Sequence, residues 1–319
     1  MDGSFFTYLL AGLAVLAITW FALPAPWARL LLGAARKLGG LRARRISVDG
    51  VDWHYLEGGD GPVLVLVHGF GGDADNWLRI APMLTRSFRV IAPDLIGFGE
   101  SAGGPGFDYA IEAQSGRLDD LLNAVGVEEC ILVGSSMGGW IATQLAINRP
   151  GRTRALWLIA PLGVRTCRQS ELLAAIASRH ASPLRISNRD EFDRLVTRRM
   201  FAKRPWIPYP LRHFYSQRAI RLSGSAETMF EQVLASSPPL EELVGHIRIP
   251  VLLQWGTLDR AVDVSGAQTL AAACPGISVR VQERVGHLPM VERPLATLRL
   301  FRDFMREIEA GQTHVSTPH

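Results

Sequence analysis

Cysteine is scarce. Cys130, Cys167 and Cys274 are the whole set, odd in number and far apart, with no CxxC pair. This argues against a disulfide framework and a zinc site, and favours a reducing compartment. Cofactor loops are missing too. "GFGES" lacks the placement of a dinucleotide-binding glycine loop, and "GFGG" lacks the lysine of a phosphate cradle. No cofactor and no metal is therefore expected. An excess of either charge is also absent: 34 basic residues against 30 acidic leave a formal +4, so no nucleic-acid partner is indicated. No internal repeat divides the chain. With 319 residues, 48% of them hydrophobic, it can bury one large domain with insertions.

Charge is missing altogether from Phe5 to Leu23, "FFTYLLAGLAVLAITWFAL". At about 1.5 Å per residue, roughly 20 apolar residues span a bilayer. A cleaved signal peptide competes with this reading, but it requires a positive leading region, and only Asp2 and the amino terminus precede the run. Arg29, Arg36, Lys37, Arg42, Arg44 and Arg45 all follow it. Positive flanks stay cytoplasmic, which predicts a retained single-pass membrane helix with the body of the protein on the cytoplasmic side. Trp20 and Trp27 suit the interfacial belt. "WARLLLGAARKLGGLRARR" is expected to continue as a basic amphipathic helix against anionic headgroups.

Beyond it, "ISVDGVDWHYLEGGDG" alternates around Asp49-Gly50, a hairpin signal. "PVLVLVHG", "FRVIAPD", "CILVG", "ALWLIAP", "IPVLLQWG" and "SVRVQE" are apolar runs of the kind buried in a parallel sheet. Helical patterning separates them, near 75–84, 112–125, 139–146, 264–273 and 294–308. Alternating strands and helices predict a mostly parallel central sheet with flanking helices. The alternation stops between Leu162 and His246, where an arginine-rich helical stretch reads as an inserted cap. Residues 1–45 are thus assigned to anchor and basic helix, 46–161 and 247–310 to the core, 162–246 to the cap, and 311–319 to a disordered tail.

Gly134-Ser135-Ser136-Met137-Gly138 fits G-x-S-x-G between a strand and a helix. In that setting Ser136 is the candidate nucleophile, on a tight turn that glycines allow. A serine hydroxyl is weak unless a histidine takes its proton and a carboxylate orients the histidine. The expected chain order is serine, acid, histidine. His287, in "VGHLPMVERP" after the last strand, fits better than His246, which precedes the penultimate strand. Asp259, near the end of "VLLQWG", is preferred to Asp263, which reads as a helix N-cap. The oxyanion hole is expected from the backbone amides of Met137 and Phe70, the latter in "HGFGG". Asp94 and Glu100 read as structural.

Through "LVHGFGG", "IAPDLIGFGES", "GSSMGG", "WGTLDRAVD" and "GHLPMVERP" the chain resembles the α/β-hydrolases over about residues 48–308. More narrowly it resembles membrane-anchored monoacylglycerol lipases and related bacterial lipases, through "HGFGGDADNW", "WGTLDRAVDVSGA", the cap segment "RPWIPYP" and the N-terminal helix. The resemblance carries the triad to Ser136, Asp259 and His287, and the oxyanion donors to Phe70 and Met137. It implies an α/β-hydrolase fold with a helical cap and an ester hydrolase acting on lipids, most of all monoacylglycerols. Trp206, Ile207, Tyr209 and Leu288 are the candidate acyl-binding residues. Carbon–carbon bond hydrolysis on the same triad, a general esterase, and a non-catalytic membrane-tethered binding protein are the alternatives. Acyl length, positional preference and oligomeric state are open.

Overall fold

The computed structural model describes residues 3–178 and 182–311, so the tail expected from 311 lies, from 312 onward, outside the described residues. Eight strands form one sheet: β1 (Arg42–Val48), β2 (Val51–Gly58), β3 (Val63–Val67), β4 (Arg89–Pro93), β5 (Cys130–Ser135), β6 (Thr153–Ile159), β7 (Val251–Gly256) and β8 (Ser278–Gln282). Their order is β1-β2-β4-β3-β5-β6-β7-β8. Pairing is antiparallel at β1/β2 and β2/β4 and parallel from β4 to β8. Alternation along β3 divides the core: Val65 and Val67 join one apolar layer, Leu64 and Leu66 the other. Each layer needs helices over it, which the crossovers supply.

The helices are α1 (Gly3–Ala22), α2 (Pro24–Leu38), α3 (Ala81–Leu84), α4 (Ile111–Ala124), α5 (Met137–Asn148), α6 (Glu171–Ala177), α7 (Arg189–Leu195), α8 (Tyr209–Ala235), α9 (Leu240–Gly245), α10 (Gly266–Ala273), α11 (Pro289–Glu292) and α12 (Pro294–Glu309). α4 buries Leu118, Leu121 and Leu122 on one face, and α12 buries Leu298, Phe301 and Phe304. Phe301 stacks on Trp157 of β6 at 4.4 Å between ring centroids. Burying one such ring contributes about 2–3 kcal/mol. Between β6 and β7 the described residues form helices α6 to α9 and a single π-helical turn at Val196–Met200, with no strand.

α1 is long and apolar enough to cross a membrane, and none of Phe5–Ala22 is buried against the rest of the protein. α2 departs from the expected course. Instead of running on through Arg45, it ends at Leu38, and Arg42–Arg45 belong to the edge strand β1. The cause is local. Gly40 takes φ +68, the Leu41 amide donates to the Arg36 carbonyl and the Gly40 amide to the Lys37 carbonyl, which is the Schellman termination. α2 buries Ala28 and Leu32 and packs along α8, so its apolar face meets protein. Asp49-Gly50 makes the β1/β2 turn with both residues at positive φ, as a two-residue hairpin requires.

Candidate active site

Four loops converge at the carboxyl ends of β3, β5, β7 and β8, the edge where open α/β sheets place their ligands. At the end of β5, Ser136 takes φ 54 and ψ −123, a conformation that costs an L-residue of order 1–3 kcal/mol. The surroundings hold it there. The Ser136 amide donates to the Ile159 carbonyl at 2.9 Å, and its own carbonyl accepts from the amides of Gly139 and Leu162 at 2.9 and 3.0 Å. A Cβ on Gly134 would fall 2.3 Å from the Gly138 carbonyl oxygen, and one on Gly138 2.3 Å from that of Val67. Only glycine lets strand and helix pass this closely. The two serines separate here: Ser135 is fully buried in the strand, whereas Ser136 is partly exposed.

Asp259 and His287 come from the loops after β7 and β8. Asp259 Oδ2 accepts from His287 Nδ1 at 2.8 Å and from Trp255 Nε1 at 3.1 Å. Its Oδ1 accepts from the amides of Ala261 and Val262 at 2.8 and 3.0 Å. Every neighbour of the carboxylate is a donor, so His287 holds its proton on Nδ1 and leaves Nε2 free to take one. Asp263 instead accepts from the Ser265 amide and pairs with Arg168. His246 is exposed at the end of α9 and takes no part in this cluster.

After β3, Gly69 lies against the elbow, where an added Cβ would meet Ser136 Cβ at 2.9 Å. The Gly72 amide donates to the Gly69 carbonyl, and Gly71 has φ +71, which makes Gly69–Gly72 a type II turn with Phe70 second. The Phe70 amide has no acceptor among the described residues. Met137 opens α5, where first-turn amides have no partner within the helix and carry the positive end of its dipole. His68 braces the turn: Nδ1 donates to the Gly69 carbonyl at 2.7 Å and Nε2 accepts from the Leu95 amide at 2.9 Å. Burial pushes its pKa below the ordinary value. Asp94 accepts from His54 and from the amides of Ala74 and Glu100. Those bonds outweigh burial and hold its carboxyl below the usual range.

The candidate acyl-binding residues are dispersed. Trp206 is 80% exposed, and its carbonyl accepts from Arg79. The Tyr209 ring packs on Phe21 of α1 and on His213, under the Arg189 guanidinium. Ile207 is half-buried, and Leu288 packs with the α12 side of the core. Trp206 and Tyr209 thus lie toward Arg79 and α1, and Leu288 directly follows His287 in the chain. Two further residues tie the cap to these loops without any signal in the sequence. Phe230 of α8 meets Phe70 edge to face at 4.9 Å, closing the cap onto the Gly69–Gly72 turn. Glu292 accepts from the amides of Gly286 at 3.0 Å, Ala202 at 3.1 Å and Lys203 at 2.9 Å, joining the His287 loop to the cap. The His287 amide donates to Met200 of the cap as well. Glu292 stands five residues after His287, but its two cap partners lie 90 and 89 residues away, where no spacing points. Among the described residues, no group of three or more His, Cys, Asp or Glu is placed to hold a metal.

A family model described as the alpha/beta hydrolase fold matches residues 62–294. Lipase 1 of Psychrobacter immobilis is 33% identical over 262 residues, 80% of this chain and 81% of its own. Monoacylglycerol lipase abhd6-B of Xenopus laevis is 25% identical, covering 96% of this chain and 94% of its own. The crystal structure of a membrane phospholipase A, a bacterial virulence factor, superposes with TM-score 0.86 at 36% identity, over 97% of this chain and 99% of that one. The chain belongs to the α/β-hydrolase fold family, as a serine hydrolase.

Proposed function

We propose that this chain hydrolyses lipid carboxylesters, monoacylglycerols first, through an acyl-enzyme on Ser136. The observation that carries the reading is the donor-only surround of Asp259, which orients His287 through Nδ1 and so fits Nε2 for the role of base toward Ser136. Ser136 Oγ attacks the ester carbonyl as His287 takes its proton. The amides of Phe70 and Met137 receive the oxyanion, and a single such donor is worth about 3–4 kcal/mol. His287 then protonates the departing glycerol and activates the water that frees the fatty acid. Relatives named as lipases support the lipid class, and α1 supports a substrate that resides in a bilayer. In this reading α1 crosses the membrane once, and the basic residues after it keep the catalytic body on the cytoplasmic side.

Phospholipid esters are the second reading. The membrane phospholipase A favours it, because its likeness extends over nearly the whole of this chain. The test is fatty-acid release by the full chain in mixed micelles from monoacylglycerols and, separately, from diacyl phospholipids, beside Ser136→Ala. Release from monoacylglycerols that vanishes in the variant supports the first reading, and release confined to phospholipids the second. A Ser136 that reacts with a fluorophosphonate while neither lipid is cleaved would discard both.

A further inference from the structure

The turn that presents the Phe70 amide runs directly into a pair of buried carboxylates, Asp73 and Asp75. Asp73 begins the 3-10 turn Ala74–Trp77, its Oδ1 accepting from the Asp75 amide at 3.0 Å. Each carboxylate is then gripped from a different part of the chain. Arg36 of α2 makes a two-pronged contact with Asp75, Nε to Oδ1 at 2.7 Å and Nη2 to Oδ2 at 2.8 Å. Arg218 of the cap helix α8 pairs with Asp73 Oδ2. Two carboxylates this close need their cations. Burial, then the neighbouring Asp75, pushes the Asp73 carboxyl up, and Arg218 opposes the shift.

The fork on Asp75 fixes orientation as well as distance, since two guanidinium nitrogens each engage one carboxylate oxygen. Arg36 belongs to the packed part of α2. It sits two residues from the helix end, on the helix that lies along α8. Lys37, its neighbour, is exposed. Arg36 therefore directs its charge at Asp75, three residues past the Gly69–Gly72 turn, with Glu100 3.9 Å away, whereas the expectation for this basic segment is a headgroup contact.

We infer that Arg36 and Arg218 are positioning residues that clamp the oxyanion turn through Asp75 and Asp73, so that the N-terminal helix α2 is part of the catalytic architecture as well as a tether. The inference rests on the reading of the Phe70 amide as an oxyanion donor. It makes a loss on Arg36 a loss of turnover even on an ester dissolved in water, where membrane attachment is irrelevant.

The test uses the full chain in detergent micelles with p-nitrophenyl butyrate, kcat being expressed per serine titrated with a fluorophosphonate. Displacing a donor by about 1 Å costs on the order of 100-fold. Arg36→Met is expected to lower kcat by about 10- to 100-fold while KM stays within about twofold. Arg36→Lys, which keeps the charge but not the fork, should retain an intermediate rate. Lys37→Met should match the wild type. Arg36→Met/Asp75→Asn removes the orphaned charge without restoring the clamp and should stay slow. A kcat per titrated serine within twofold of wild type in Arg36→Met would overturn the inference. So would full recovery in the double variant, which would assign the effect to an unpaired buried carboxylate, or an equal loss in Lys37→Met. A wild type that neither turns over nor labels would overturn the ester-hydrolase reading and the clamp together.

Discussion

Asp259→Asn separates the orienting role of this side chain from its place in the packing. Asparagine offers one carbonyl oxygen and one amide nitrogen to four donors. If the nitrogen faces Ala261 and Val262, both amides are orphaned, at about 1–3 kcal/mol each, or about 2–6 kcal/mol together. If it faces His287 and Trp255, the cost is far smaller. Trp255 Nε1 keeps a second acceptor, the Val262 carbonyl at 3.2 Å. His287 can accept the new N–H by moving its own proton to Nε2. That orientation is favoured, and it is the inactive one, because Nε2 can no longer take the serine proton. Even a difference of about 2 kcal/mol leaves about one molecule in thirty with the working tautomer. The uncharged amide also ceases to stabilise the imidazolium, and triads that lose this carboxylate fall by about 10⁴ in kcat. The expected outcome is a kcat on p-nitrophenyl butyrate between about 30-fold and 10⁴-fold lower, with a thermal midpoint within a few degrees of wild type. Retention of more than a tenth of kcat would refute the reasoning. So would a collapse of the fold, since it would mean the amide had turned the other way.

Gly138→Ala should destabilise the protein by more than about 3 kcal/mol and abolish serine labelling, because backbone carbonyls and not movable side chains meet the new Cβ. Thermal unfolding with a fluorophosphonate titration checks both, and a labelled, stable variant would count against the close-approach account. His68 gives a pH signature. Burial holds its folded pKa below 6.5, so below that pH the unfolded chain binds a proton that the native state refuses, and stability falls as pH drops. The difference in thermal midpoint between wild type and His68→Gln should therefore shrink from about pH 7 to about pH 5.5. A difference that grows on acidification would show that the native state takes up the proton.

The placement of Ser136, Asp259 and His287 after strands is legible because each follows an apolar run that announces itself, with Ser136 beside glycines that the elbow's geometry demands. The strands of the sheet were legible for the same reason. The stop of α2 is masked because charge and apolar spacing persist through Arg45, although Gly39-Gly40 carries the signal. The reach of Arg36 to Asp75 was not legible, since two charged residues 39 positions apart show nothing until the fold brings them together. Trp206 and Tyr209 are candidate acyl contacts on sequence because aromatic residues in a cap are apolar wherever they point. Their direction depends on how α1 and α8 meet, as at Phe21 and Tyr209.

The grip of Glu292 has a consequence for how such a protein can diversify. Its three bonds go to main-chain amides of Ala202, Lys203 and Gly286, and none depends on a side chain. The cap can therefore change its residues at 202 and 203 and so its chemistry toward a substrate, while the histidine beneath keeps its alignment. Proline is the exception, because it alone brings no amide hydrogen to the bond.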